Sequence, residues 1–326
     1  MPTVAPLDLD THCLVAGWLG DAPIFALADG AVHMLDNGHH AIALHDGLLC
    51  AAIAPDGKAL VTGGEDGKVC ALNRARTAAV LGDEGSKWVQ AVAAGPQGAV
   101  AWAVGRNGRI RLGDGAMRDF TDTRTIEGLA FAPKGLRVAA ARYDGVSLHW
   151  ASGAAKPVDL PWKGAHTAVT FSPDGRFAVS AMQENALHGW RLEDIKHMRM
   201  SGYPGKVKSW SWSAKGKWLA TSGAPAAIVW PFSAKDGPMG KPPLELGARG
   251  DSFVTTVACH PAEDVVAIGY QDGMVLAVRF LDSKEVLLRR PQAQGGAITT
   301  MAWDKAGLRV AFGTQNGACG VIDITG

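Results

Sequence analysis

The 326 residues carry a formal net charge of +1, a hydrophobic fraction of 47% and a charged fraction of 19%. Near-neutrality removes any general attraction to nucleic acid or an anionic membrane, and no apolar run reaches the roughly 18 residues of a spanning helix. Five cysteines at irregular spacing do not make a disulfide framework; they read as small buried apolar residues of a reducing compartment, which gives a cytoplasmic expectation.

Taken from the N-terminus, Met1 to Asp10 lacks the basic and apolar regions of a signal peptide. Pro6-Leu7-Asp8-Leu9 reads instead as a short strand. After it, a unit of about 40 residues recurs, and eight copies can be named. Each copy first closes a hairpin. The markers are a degenerate Gly20-Asp21, then Pro55-Asp56-Gly57, Pro96-Gln97-Gly98, Pro133-Lys134-Gly135, Pro173-Asp174-Gly175, Ala214-Lys215-Gly216, Pro261-Ala262-Glu263 and Lys305-Ala306-Gly307. Gly57, Gly98, Gly135, Gly175 and Gly216 recur at steps of 41, 37, 40 and 41.

About ten residues on comes a second turn, at Asp29-Gly30, Asp66-Gly67, Asn107-Gly108, Asp144-Gly145, Glu184-Asn185, Asp272-Gly273 and Asn316-Gly317; these pairs suit turns that need positive φ. The copy around Ala224-Pro225-Ala226 has lost it. Runs such as Ala59-Leu60-Val61-Thr62 and Val265-Val266-Ala267-Ile268 separate the turns and read as strands. Fourth strands follow, from Ala41-Ile42-Ala43-Leu44 to Glu285-Val286-Leu287-Leu288, but the last copy stops at Gly326 without one. The expectation is that residues 4–9 supply it by pairing with the strand around 318–324, hiding an open sheet edge. The whole chain, 1–326, is then one domain: an all-β, eight-bladed propeller of four-stranded antiparallel blades, with seven blades as the alternative.

The pattern resembles the WD-repeat (WD40) family over essentially the whole chain, and Ala/Gly richness points to a GC-rich bacterial genome. The best-matching stretch runs from Gly164-Ala165-His166 through Thr170-Phe171-Ser172-Pro173-Asp174-Gly175 to Trp190. There the resemblance maps a buried network onto His166, Ser180, Glu184 and Trp190, with Glu in place of Asp. Thr62 and Asp66, Asp144 and Trp150, and Trp230 are remnants in other copies. The resemblance also implies that partners bind the end of the blades carrying the second-to-third and fourth-to-first connections. Residues before the second turns fall there: Ala28, Glu65, Arg106, Tyr143, Gln183, Ala224, Gln271 and Gln315. Residues at the start of first strands join them: Trp88, Thr125, Lys206 and Phe253, with Arg142 and Lys208 nearby. Aromatic and Arg groups dominate interface hot spots, so Trp88, Arg106, Tyr143, Gln183, Lys206, Phe253, Gln271 and Gln315 form the candidate partner-binding set, with Trp88, Arg106 and Tyr143 as its centre.

Chemistry has little to stand on. No nucleophile elbow, acid/base pair or phosphate loop is present, and Gly63-Gly64 and Gly105-x-x-Gly108 read as hairpin glycines. The repeated motifs of quinoprotein dehydrogenases and sialidases are missing too. His12, His33, His39, His40 and His45, with Cys13 and Cys50, are the residue types zinc prefers, and His33, His39 and His40 are the possible metal set. Lys206, Lys208, Trp210 and Trp212 interleave basic and aromatic residues as single-strand binders do, but as one strand face the two Trp belong to the core. The loop 233–243, rich in Gly, Pro and Lys, is an expected mobile insertion. The expected function is a non-enzymatic scaffold without cofactor that binds proteins or peptides, not nucleic acid or membrane. The alternative is a propeller that handles a small molecule or metal at its channel mouth or N-terminal histidines.

Overall fold

The computed structural model describes residues 2–151, 155–292 and 295–325. Among the described residues its strands form seven hydrogen-bonded sheets, six of four strands and one of six, and their neighbours run antiparallel. Four-stranded β-propeller blades are the repeating element. The sheet count is the alternative of seven, where eight was the main expectation, and the difference lies in one place. Residues 126–200 hold two sequence units on one sheet. The strand Val158–Phe171 pairs through its first half with the segment 145–148 and through its second half with Phe177–Met182, so two successive units are joined by one unbroken strand.

Contacts divide the chain into two compact units. One comprises residues 29–31 and 42–201, the other residues 2–28, 32–41 and 202–325. In the second, the N-terminal strand Thr3–Asp8 pairs with Ala318–Asp323, from Thr3 opposite Asp323 to Asp8 opposite Ala318. This is the predicted shared blade: the outer strand comes from one end of the chain and the other three from the other end.

Local sequence dictates the turns. Gly57, Gly98, Gly135, Gly175, Gly216 and Gly307 all take positive φ, and Asn185 takes φ 52° where its neighbours in the repeat use glycine. The turn expected at Asn107-Gly108 sits earlier. Gly105 has φ 59° there, while Gly108 lies within the strand Asn107–Arg111, where a Cβ would meet the Phe120 ring at 2.1 Å. Gly63 and Gly64 are likewise strand residues, in Ala59–Gly64, and not hairpin glycines.

The second strand of each blade is buried on both faces, as in Val266-Ala267-Ile268, and outer strands alternate, as in His39–Ala43. Sheets approach closely because small residues line the contact. A Cβ on Gly63 would meet Val89, one on Gly269 would meet Ile298 and one on Gly313 would meet Cys13, each within 3 Å. Each of those glycines thus admits the start of the following blade. Trp18 and Trp303 add cross-blade hydrogen bonds, donating from Nε1 to Ala302 O (2.9 Å) and Ala258 O (3.0 Å). The loop 233–243 is a run of turns, with Gly237 N–H donating to Ala234 O and Lys241 N–H to Pro238 O.

Candidate functional site

One backbone hydrogen bond recurs where the site was expected. The amide of the residue before the second turn donates to the carbonyl at the start of the first strand. It joins Glu65 to Gly47, Gln183 to Ala165, Gln271 to Phe253 and Gln315 to Ala297, each at 2.9 Å. Both loops at that end of a blade are therefore held together while their side chains face solvent. All eight candidates are exposed, with Trp88 at 60%, Tyr143 at 49% and Phe253 at 38%. Trp88, Arg106, Tyr143 and Gln183 belong to one compact unit; Lys206, Phe253, Gln271 and Gln315 belong to the other.

Behind these loops lie three versions of one buried device. In the blade of residues 48–83, His45 Nδ1 sits 2.9 Å from Asp66 Oδ1, and its Nε2 sits 2.8 Å from Thr62 Oγ1. Burial alone would raise the Asp66 carboxyl, but the His45 bond and the Lys68 amide and charge hold it below the usual range. Gly64 has no side chain because a Cβ would lie 2.4 Å from the His45 ring. At the stretch expected to be best, His166 Nδ1 bonds Ser180 Oγ at 2.7 Å, but the network runs on to the carbonyls of Trp162 and His188 and not to Glu184 or Trp190. Glu184 Oε1 accepts the Ala165 amide instead, and among the described residues the Trp190 Nε1–H has no partner. In the blade of residues 210–246, Tyr203 takes the histidine's place. Trp230 Nε1–H donates to its hydroxyl at 2.6 Å, and the hydroxyl meets Thr221 Oγ1 at 2.7 Å. Burial pushes the Tyr203 phenol up to about 12.

Sequence reasoning missed His45 and Tyr203. His45 lay among the histidines weighed as metal ligands, 17 residues from Thr62 and 21 from Asp66. Of the expected metal set, His33 and His39 meet and His40 turns elsewhere. His33 Nδ1 meets His39 Nε2 at 2.7 Å, while His40 Nε2 meets Asp36 O. Among the described residues no group of three or more His, Cys, Asp or Glu could hold a metal ion. Cys50 Sγ donates to Val89 O, and burial pushes its thiol up to about 12. Trp210 and Trp212 are half-buried, with Trp212 against Phe232, and Lys206 and Lys208 precede their strand.

A cleft of about 300 Å3 opens beside Tyr143. It is lined by Tyr143, Trp162, Lys163, Met182, Glu184 and Arg199. Trp162 is fixed from beneath by His188, with ring centroids 3.9 Å apart and planes 16° apart. His188 is fully buried, and both its ring nitrogens lack partners among the described residues. Burial first, then the His197, His166 and Arg199 charges, lower its pKa to about 3. Asp144 Oδ1 and Glu184 Oε1 each accept a backbone amide, from Gly164 and Ala165, both at 3.3 Å. Sequence reasoning found Tyr143 and missed Trp162, which lies past the turn signals it followed.

A second polar cluster, also missed, is sealed from solvent. Asp122, Arg142, Ser147 and His149 are all under 10% exposed. Arg142 Nε lies 2.8 Å from Asp122 Oδ1, the Ser147 hydroxyl donates to Asp122 Oδ2, and His149 Nε2 lies 3.0 Å from Ser147 Oγ. Asp159 also contacts the Arg142 guanidinium. Burial would raise the Asp122 carboxyl, but bonds from His149, Ser147 and Thr123 N–H, with the Arg142 charge, hold it at about 2. Ser147 and His149 meet the same carboxylate oxygen, so serine, histidine and aspartate here form a closed knot and not a relay.

Comparisons with known proteins agree with this geometry. A WD domain, G-beta repeat, model matches residues 37–71, the stretch that holds His45, Thr62 and Asp66. A model of the anaphase-promoting complex subunit 4 WD40 domain matches residues 257–326. No curated protein sequence matches. The crystal structure of the computationally designed Ika8 protein is similar in fold, with a TM-score of 0.76 at 18% identity over 97% of this chain and 98% of that one. Four-stranded blades, the recurrent hairpin turns and a His–Thr–Asp network under a matched repeat lead to one statement: the chain is a β-propeller that carries WD40-type repeats, matched as such at residues 37–71 and 257–326.

Proposed function

We propose that this protein is a non-catalytic scaffold that binds a protein or peptide through the loop-bearing end of its blades, with the Tyr143–Trp162 cleft as an anchoring point. WD40 propellers are typically interaction scaffolds, which supports the coarse reading. The observation that carries the finer one is the cleft itself. One of its two aromatic walls, Trp162, is held in place by the His188 stack before any partner arrives. Pre-set aromatic anchors lose little ordering entropy on binding, and such residues supply most interface energy. Arg106 and Trp88, exposed on loops of the same compact unit, extend the surface.

The test is site-specific photo-crosslinking in cell extract. A crosslinker placed at Tyr143 is expected to trap a discrete partner, and one at Leu281, which is 90% exposed, is not. Equal trapping at both positions contradicts the assignment.

A further inference from the structure

We propose that Cys13 and Cys319 are a redox-sensitive pair, two thiols that a peroxide converts into one disulfide tying the first blade to the blade shared by the two ends of the chain. Cys13 opens the strand Cys13–Leu19. Cys319 lies in Ala318–Asp323, opposite Leu7 of the N-terminal strand. The two cysteines share one core cluster, at 0% and 1% exposure. Gly313 lets them meet. Ala311 stands opposite Val321 and Phe312 opposite Gly320, so the next step of the register sets Gly313 opposite Cys319. Opposed residues of an antiparallel pair project from one face, with Cβ positions about 5 Å apart. The Cys13 sulfur lies 2.3 Å from where a Gly313 Cβ would stand, so it fills the place of the missing side chain beside Cys319. Thr299 pins that level: its hydroxyl donates to Cys13 O at 2.6 Å and lies 3.1 Å from Gly313 O. The Cys13 sulfur is also 3.6 Å from Val15 O, and the two thiols are hydrogen-bonded to each other.

Buried thiols are inert when nothing favours the thiolate. Cys50 and Cys259 are such a case, their thiols pushed up to about 12 by burial. Cys319 differs. The bond from Cys13, with a main-chain bond at Thr314, outweighs burial and holds its thiol below the usual value. The same bond, with burial, holds the Cys13 thiol well above it. Cys319 therefore supplies the attacking sulfur, and Cys13 keeps its proton. Fraying of Thr3–Asp8, an exposed terminal strand, uncovers Cys319 to peroxide. The Cys319 thiolate attacks one peroxide oxygen and the O–O bond breaks. The departing hydroxide takes the proton that Cys319 gave up and leaves as water, with a sulfenic acid on Cys319. The Cys13 sulfur then attacks that sulfur. The S–S bond forms, the S–O bond breaks, and the hydroxyl leaves as a second water with the Cys13 proton. Two thiols lose two electrons and two protons, and one peroxide becomes two waters.

The test treats the reduced full chain with hydrogen peroxide, then unfolds it and alkylates it with N-ethylmaleimide for intact mass and peptide mapping. Two of the five thiols are expected to escape alkylation, and the map joins Cys13 to Cys319. The oxidised chain melts roughly 5–10 °C higher, because a cross-link closing nearly the whole chain constrains the unfolded state strongly, and dithiothreitol reverses the gain. Cys13→Ala removes the cross-link and the gain and leaves a sulfenic acid at Cys319 that dimedone labels, while Cys50→Ala changes neither. If Cys13→Ala fails to fold, the wild-type map decides alone. Five alkylated thiols after peroxide, a bond between another pair of cysteines, or a cross-link that leaves the melting temperature unchanged overturns the proposal.

Discussion

Asp122 shows how one buried carboxylate sets the behaviour of its surroundings. It compensates Arg142 and accepts from Ser147 and Thr123, so its removal takes away the buried one of the two carboxylates on Arg142 and leaves the exposed Asp159. Asp122→Asn is expected to destabilise by roughly 3–5 kcal/mol in urea unfolding, the cost of breaking a buried pair from one side. Its folded-state pKa is depressed to about 2, so its contribution is whole above an unfolded value near 4 and disappears as pH falls from about 4 through 2. His188 acts earlier in acid. Its folded-state pKa is about 3, while an unfolded-chain histidine titrates near 6.5. Over that window the unfolded chain binds the additional proton, so stability falls as pH drops below about 6.5. His188→Phe keeps the stack on Trp162 and removes the titrating group. The urea midpoint of that variant is expected to fall less between pH 7 and pH 5 than the wild-type midpoint; an equal fall contradicts the assignment to His188.

At the scale of the element, the N-terminal strand is the clearest case of long-range dependence. Six of its residues pair with Ala318–Asp323, and Leu7 and Leu9 pack against the cluster of Cys13, Trp18, Phe25 and Cys319. Deleting residues 1–9 is expected to cost roughly 2–5 kcal/mol, from lost burial of those two leucines and an exposed edge. A change under about 1 kcal/mol contradicts the shared blade as a stabilising device. The His45–Thr62–Asp66 device makes a parallel prediction. A double-mutant cycle on His45→Ala and Thr62→Ala is expected to show coupling of roughly 0.5–3 kcal/mol, as for residues in one hydrogen-bonded network. What was legible in the sequence follows from locality. Gly57, Gly175 and Asn185 announce turns because positive φ is a demand on one residue. Pro6-Leu7-Asp8-Leu9 announced a strand, and the missing last strand told where it must go. His45 was illegible because its role depends on partners two turns away. Tyr203 hid because the network tolerates a phenol where the resemblance led to a search for imidazole. The six-stranded sheet escaped because Pro161 and Gly164 read as a break between units, while the strand runs on through both of them over residues 158–171.

For the whole molecule, the composition finds its physical reason in the packing. Alanine and glycine are abundant because sheets meet face to face, with Ala139, Ala140 and Ala141 fully buried and Gly63, Gly269 and Gly313 admitting the next blade. No helix among the described residues is long and apolar enough to cross a membrane. The rigid part of the molecule is thus spent on holding loops, and the proposed function lives in side chains those loops present. The most direct test of that account is quantitative capture of partners from native extract, comparing wild type with the Arg106→Glu, Tyr143→Ala double variant at matched melting temperature. The account predicts that at least one protein retained by wild type is lost from the variant, because both side chains are exposed and neither supports the fold. An unchanged set of partners with both proteins would contradict it.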